Sequence, residues 1–174
     1  MKMSKIYLKY TILFLLYVFL QVFIFNRINL WGVVTPMVYI LFIFSLPFQT
    51  PRWLMVLLGF LLGLSVDFFT GILGLHALTT LIIAFIRPTV FRIIPLRIER
   101  EEHLMPIFFD MKFSWYFRYA FILTFVHHFV YFMIDAFTFH NFLKTLFVCL
   151  TNTLFSLICI FIIQVLFYKP SKRY

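Results

Sequence analysis

A chain of 174 residues with 64% hydrophobic and only 12% charged side chains lies far from the roughly 45–50% apolar and about 25% charged make-up of soluble domains. One core cannot hide that excess, and runs such as Ile12 to Leu20 lack the alternation of barrel strands, which leaves an all-α polytopic membrane protein. The net charge of +9 does not point to nucleic acid, because the cations gather at helix ends and in one loop.

Lys2, Lys5 and Lys9 precede an apolar run that predicts a first transmembrane helix over 7–25. That run continues into Asn26-Arg27-Ile28-Asn29 without a small-residue cleavage site, so it reads as an uncleaved span. Trp31 and Gly32 mark a turn at the far interface. The second predicted helix, 33–46, is short for a span; Pro36 suits its first turn, Pro47 and Pro51 end it, and it is expected to lie against protein on one side.

The third helix, 53–69, carries Gly59, Gly63 and Asp67 at four-residue steps, a stripe that Gly71 continues. Such steps drift by only ~40° around a helix, so the stripe is a face of little bulk where another helix can approach closely. Asp67 falls ~21 Å along from Trp53 at 1.5 Å per residue, in the outer third of the bilayer. After the turn through Gly71 and Gly74, the fourth helix covers 75–91 and sets His76 within reach of Asp67. An intramembrane carboxylate is costly, so Asp67 is either a structural acid that caps the fourth helix or bonds His76, or part of a ligand or ion site.

The only charged loop, 92–112, holds Arg92, Arg97, Glu99, Arg100, Glu101, Glu102, His103, Asp110 and Lys112, and is expected to be cytoplasmic, as a solvated loop or a surface-lying segment. The fifth helix spans 113–136, and the sixth 142–168. On the fifth, Tyr131 and Asp135 continue the face of His128, and on the sixth Thr151, Asn152, Thr153 and Ser156 form a polar patch. His128, Tyr131, Asp135 and Asn152 are therefore a candidate polar cavity, with interhelical hydrogen bonding as the competing use. Adjacent His127 and His128 point in different directions on a helix and do not make a metal pair. Cys149 and Cys159 stand ~15 Å apart along one helix, too far to pair within it.

No second domain or repeat is visible, so residues 1–174 read as one integral membrane domain of six spans. With both termini cytoplasmic, thirteen of the fifteen Lys and Arg residues lie inside, leaving Arg27 and Lys144 outside. Catalytic signatures, phosphate-cradling loops and metal spacings are missing, which argues for a non-enzyme without cofactor or metal.

Two segments, Gly63-Leu-Ser-Val-Asp67 and Gly71-Ile-Leu-Gly-Leu-His-Ala-Leu78, together with Pro36 and the small, basic six-span layout, resemble the bacterial rod shape-determining protein MreD family. The resemblance implies a non-catalytic scaffold of the inner membrane that supports cell shape and peptidoglycan synthesis in the rod complex, or elongasome. The partners it implies are the single-pass coiled-coil protein MreC, then MreB, RodA and a class B penicillin-binding protein, with membrane lipid and no nucleic acid. It also implies a fold similar to the substrate-capture subunits of energy-coupling-factor transporters. On this reading Gly59, Gly63, Asp67, Gly71, Gly74 and His76 form the helix-packing and partner seam. The alternative is a small-molecule-binding substrate-capture subunit that uses the candidate cavity.

Overall fold

The computed structural model describes residues 2–30, 32–72, 74–94, 106–136 and 141–168, with side chains from residue 7 onward. Much of the charged loop, with Arg97, Glu99, Arg100, Glu101, Glu102 and His103, lies outside the described residues, as do Trp31, Lys169, Lys172 and Arg173. The elements are α1 (Lys2–Phe23), a single 3-10 turn (Phe25–Arg27), α2 (Leu41–Ser45), α3 (Arg52–Thr70), α4 (Leu75–Ile93), α5 (Phe113–Ala136) and α6 (Phe142–Phe167). All of α1, α3, α4, α5 and α6 are long and apolar enough to cross a membrane.

The second predicted helix is not a membrane-spanning helix. Only Leu41–Ser45 is helical, and residues 33–40 are irregular. A wholly helical 33–46 would advance only ~20 Å, whereas irregular backbone advances up to ~3.3 Å per residue. The segment thereby runs from one end of the bundle to the other. At its start Thr35 meets Asn152 of α6, and at its finish Phe48 packs on Phe91 of α4 and Trp115 of α5. The Phe23 and Phe69 rings, 6.3 Å apart, place the C-terminal ends of α1 and α3 together, so the chain between them must return along the bundle.

The return path is interior on all sides, not on one. Met37 to Phe44 are at most 4% exposed, a place where irregular backbone survives only if protein groups satisfy it. Gln21, itself fully buried in α1, uses its whole side chain for this. Its Oε1 accepts from the backbone N–H of Val38 at 2.7 Å and of Tyr39 at 3.3 Å, while its Nε2 donates to Pro36 O at 3.1 Å and Asn26 Oδ1 at 2.7 Å. That exhausts two donors and two acceptor lone pairs. From α6, Asn152 Oδ1 accepts from Thr35 N at 2.9 Å, Asn152 Nδ2 donates to Val33 O at 3.0 Å, and Ser156 Oγ accepts from Met37 N at 2.9 Å.

Arg87 performs the same task at the other end. It is fully buried, not a loop-side topology charge. Its guanidinium donates to Phe44 O at 3.3 Å and to Leu46 O, closing the orphan carbonyls at the end of α2. Nε donates to Tyr119 Oη at 2.8 Å, and the Phe91 ring lies 4.9 Å away. Five donors in a planar fork suit a cluster of carbonyl and hydroxyl oxygens better than an ammonium does.

Around this axis, α3 packs on α4, α4 on α5 and α5 on α6. On α5, Phe113, Phe117, Phe121, Phe125 and Phe129 stack successively at 5.9–6.2 Å, an i,i+4 aromatic ladder along one side. The far end of the charged loop is packed, contrary to the solvated reading: Ile107 and Asp110 are buried, and Phe108 N donates to Gln164 Oε1 at 2.7 Å.

Gln21→Leu keeps the volume and strands the N–H of Val38 and Tyr39 and the carbonyl of Pro36, at about 1–3 kcal/mol for each orphaned group. The thermal midpoint of the purified protein in detergent is expected to fall sharply. Thr11→Val, which removes only a bond to the exposed helix's own Tyr7 O, is expected to leave it unchanged.

Candidate functional site

Gly59 and Gly63 face α4. A Cβ on Gly59 would stand 2.8 Å from Ala84 Cβ and 3.0 Å from Thr80 O, and one on Gly63 would stand 2.5 Å from both Ala77 Cα and His76 C. The small-residue face is thus filled by the chain's own fourth helix, with backbone against backbone at Gly63. Gly71 and Gly74 leave this seam. They sit at φ +73° and +94°, where a Cβ would meet no atom within 4 Å, so what they supply is the left-handed backbone that reverses the chain.

That reversal brings Asp67 to the N-terminus of α4. The fully buried carboxylate accepts four hydrogen bonds. Oδ1 takes the backbone N–H of His76 at 3.0 Å and its ring Nδ1–H at 2.8 Å, while Oδ2 takes Gly74 N at 3.1 Å and Ala77 N at 2.8 Å. Orphan N–H groups and the positive end of the helix dipole face one anion. Capping the fourth helix and bonding His76 are therefore done together, by one side chain.

His76 passes this constraint on. With Nδ1–H committed to Asp67, the ring turns its other nitrogen, Nε2, elsewhere. The ring packs on Tyr39 at 5.8 Å and Tyr131 at 4.9 Å, and it lines a cavity of about 560 Å³ at this end of the bundle. Tyr131, Asp135 and Asn152 line the same cavity, with Asn26 and Arg27 after α1, Thr70 of α3, and the rings of Phe23, Phe69 and Phe132. Three of the four residues expected to form a cavity meet there. Asn152 spends its amide on Val33, Thr35 and Val148, so it shapes the wall.

The fourth, His128, is not among the lining residues and is held in the interior. Its Nδ1 donates to Thr124 O at 2.8 Å, since a carbonyl only accepts, and its Nε2 accepts from Ser156 Oγ at 3.0 Å. His127 faces another way: its Nε2 lies 2.8 Å from Tyr39 Oη and 3.1 Å from Thr79 Oγ1. Among the described residues, its Nδ1 has no partner, and no three His, Cys, Asp or Glu side chains are grouped to hold a metal. Both cysteines are free thiols.

Sequence reasoning missed Gln21, Tyr39 and Arg87. A single Gln inside an otherwise apolar run and an Arg before an intrahelical Pro were the available signals, since a polar side chain at such a position has to find a partner. No family model, curated protein or solved structure matches the chain.

Asp67→Asn preserves shape but turns one acceptor into an NH2 group that faces backbone donors. It is expected to lower the thermal midpoint nearly as far as Asp67→Ala. On the opposite side of the seam, Gly63→Ala is expected to cost more than Gly59→Ala, because the former meets backbone and the latter partly a methyl group. Thermal unfolding of the four variants in one detergent ranks them.

Proposed function

We propose that the protein is a non-catalytic scaffold of the bacterial cell-elongation complex, set in the inner membrane with both termini cytoplasmic, and that it binds the single transmembrane helix of an MreC-type coiled-coil partner. The observation that carries this reading is the turn between α3 and α4. Each distinctive position of the segment that resembles the MreD family has a physical task there: Gly63 admits the α4 backbone, Asp67 caps it, Gly71 and Gly74 reverse the chain, and His76 completes the carboxylate's hydrogen bonds.

In this scheme the glycines act on the partner indirectly. The seam is closed within the chain, so it holds α3 in place and leaves Leu57, Phe60, Leu61, Leu64 and Phe68 exposed on the outer side of that helix. A single apolar helix packs on such a surface by van der Waals contact. RodA, MreB and a class B penicillin-binding protein are the further members expected around it.

A second reading, a substrate-capture subunit of a membrane transporter, is favoured by the cavity that Tyr131, Asp135 and Asn152 line. Affinity capture of the tagged protein from its own membranes in mild detergent separates the two. Recovery of an MreC-type protein with elongation synthases is the expected result, and Leu61→Ala with Leu64→Ala is expected to reduce that recovery several-fold at unchanged thermal midpoint. Recovery of ATPase subunits without those partners overturns the scaffold reading.

A further inference from the structure

The cavity has a chemical polarity that the scaffold reading does not use. Three acceptors line it. Asp135 contributes a carboxylate with no ion pair among the described residues. Tyr131 is 7% exposed and His76 4%; Tyr131 Oη and His76 Nε2 have no hydrogen-bond partner among the described residues and are not among the buried orphaned atoms, so both are open to the cavity. For His76, Asp67 accepts the Nδ1 proton, so Nε2 is an acceptor in the neutral ring.

Donors line the cavity too. Arg27 supplies a guanidinium, and Asn26, whose Oδ1 already accepts from Gln21, has its amide NH2 to offer. The rings of Phe23, Phe69 and Phe132 also line it, and aromatic rings suit the flank of an organic cation. A volume of about 560 Å³ falls within the roughly 300–1,000 Å³ of small-molecule sites.

We propose that this cavity binds a zwitterion of the phosphoethanolamine type. Its primary ammonium is held by Asp135, Tyr131 Oη and His76 Nε2, and its anionic group by Arg27 and Asn26. Three N–H donors on an ammonium match three acceptors, which a quaternary ammonium cannot do. The same headgroup chemistry is available from a bilayer lipid, phosphatidylethanolamine, or from a soluble amine phosphate. The inference rests on the cavity and holds whether or not the chain is a scaffold.

The test uses the purified full chain, wild type and the variants Asp135→Asn and Arg27→Gln, read by thermal midpoint. Each is titrated in detergent with phosphoethanolamine and with phosphocholine, and in parallel placed in nanodiscs of phosphatidylethanolamine or of phosphatidylglycerol. A saturable rise with phosphoethanolamine, at least tenfold weaker with phosphocholine and in either variant, supports the site with a soluble ligand. A rise confined to phosphatidylethanolamine nanodiscs and lost in both variants supports it with a lipid ligand. No rise from either source, or a rise that both variants retain, overturns it. Capture of the MreC-type partner by Asp135→Asn, measured alongside, reports on the scaffold separately: its loss or retention does not alter the titration.

Discussion

A stretch of non-helical backbone inside an apolar bundle is the constraint on which this structure depends. Residues 36–40 and the short α2 lie in the middle of the fold, where water cannot supply hydrogen bonds, so other helices must. Gln21 of α1, Asn152 and Ser156 of α6, and Arg87 of α4 with Tyr119 of α5 divide that work. Because they reach the same central segment from four helices, the segment locks the bundle's arrangement more specifically than apolar contact does. Leucine packing tolerates small slips; a Gln that satisfies four groups at once does not.

The buried Arg87 illustrates how such a position becomes tolerable. A lone cation in an apolar interior is expensive, and among the described residues no carboxylate pairs with it. Two carbonyls, a tyrosine hydroxyl, the Met55 sulfur and an aromatic face surround the guanidinium instead. Its charge is spread over a planar group, so several partial negative charges can replace one counter-ion.

At the opposite end, a chain of dependence leads from covalent simplicity to surface chemistry. Glycine at position 63 permits the backbones of α3 and α4 to touch, which brings the start of α4 within reach of Asp67. The carboxylate then orders both the helix terminus and the His76 ring, and His76 and Tyr131 in turn form part of the cavity wall. A buried acid, which in isolation suggests chemistry, is here consumed by four N–H groups. The groups left over for chemistry lie one shell further out.

The helices of this protein were legible in the sequence because lipid imposes a simple demand. A span needs a long apolar run, and the limits of α3 to α6 fall within two residues of where composition and prolines placed them. The contact between Asp67 and His76 was legible too, since a tight glycine turn leaves an acid and a histidine nine residues apart few other places to go. What the sequence could not decide was the state of residues 33–46, whose apolar content suits a helix or a buried irregular strand of chain equally well. That choice rests on Gln21, Asn152, Ser156 and Arg87, which come from 15 to 119 residues away and become partners only when the bundle closes. The same reason hid the true place of His128: a helical face predicts which residues share a side, while only tertiary packing determines whether that side meets a cavity or another helix.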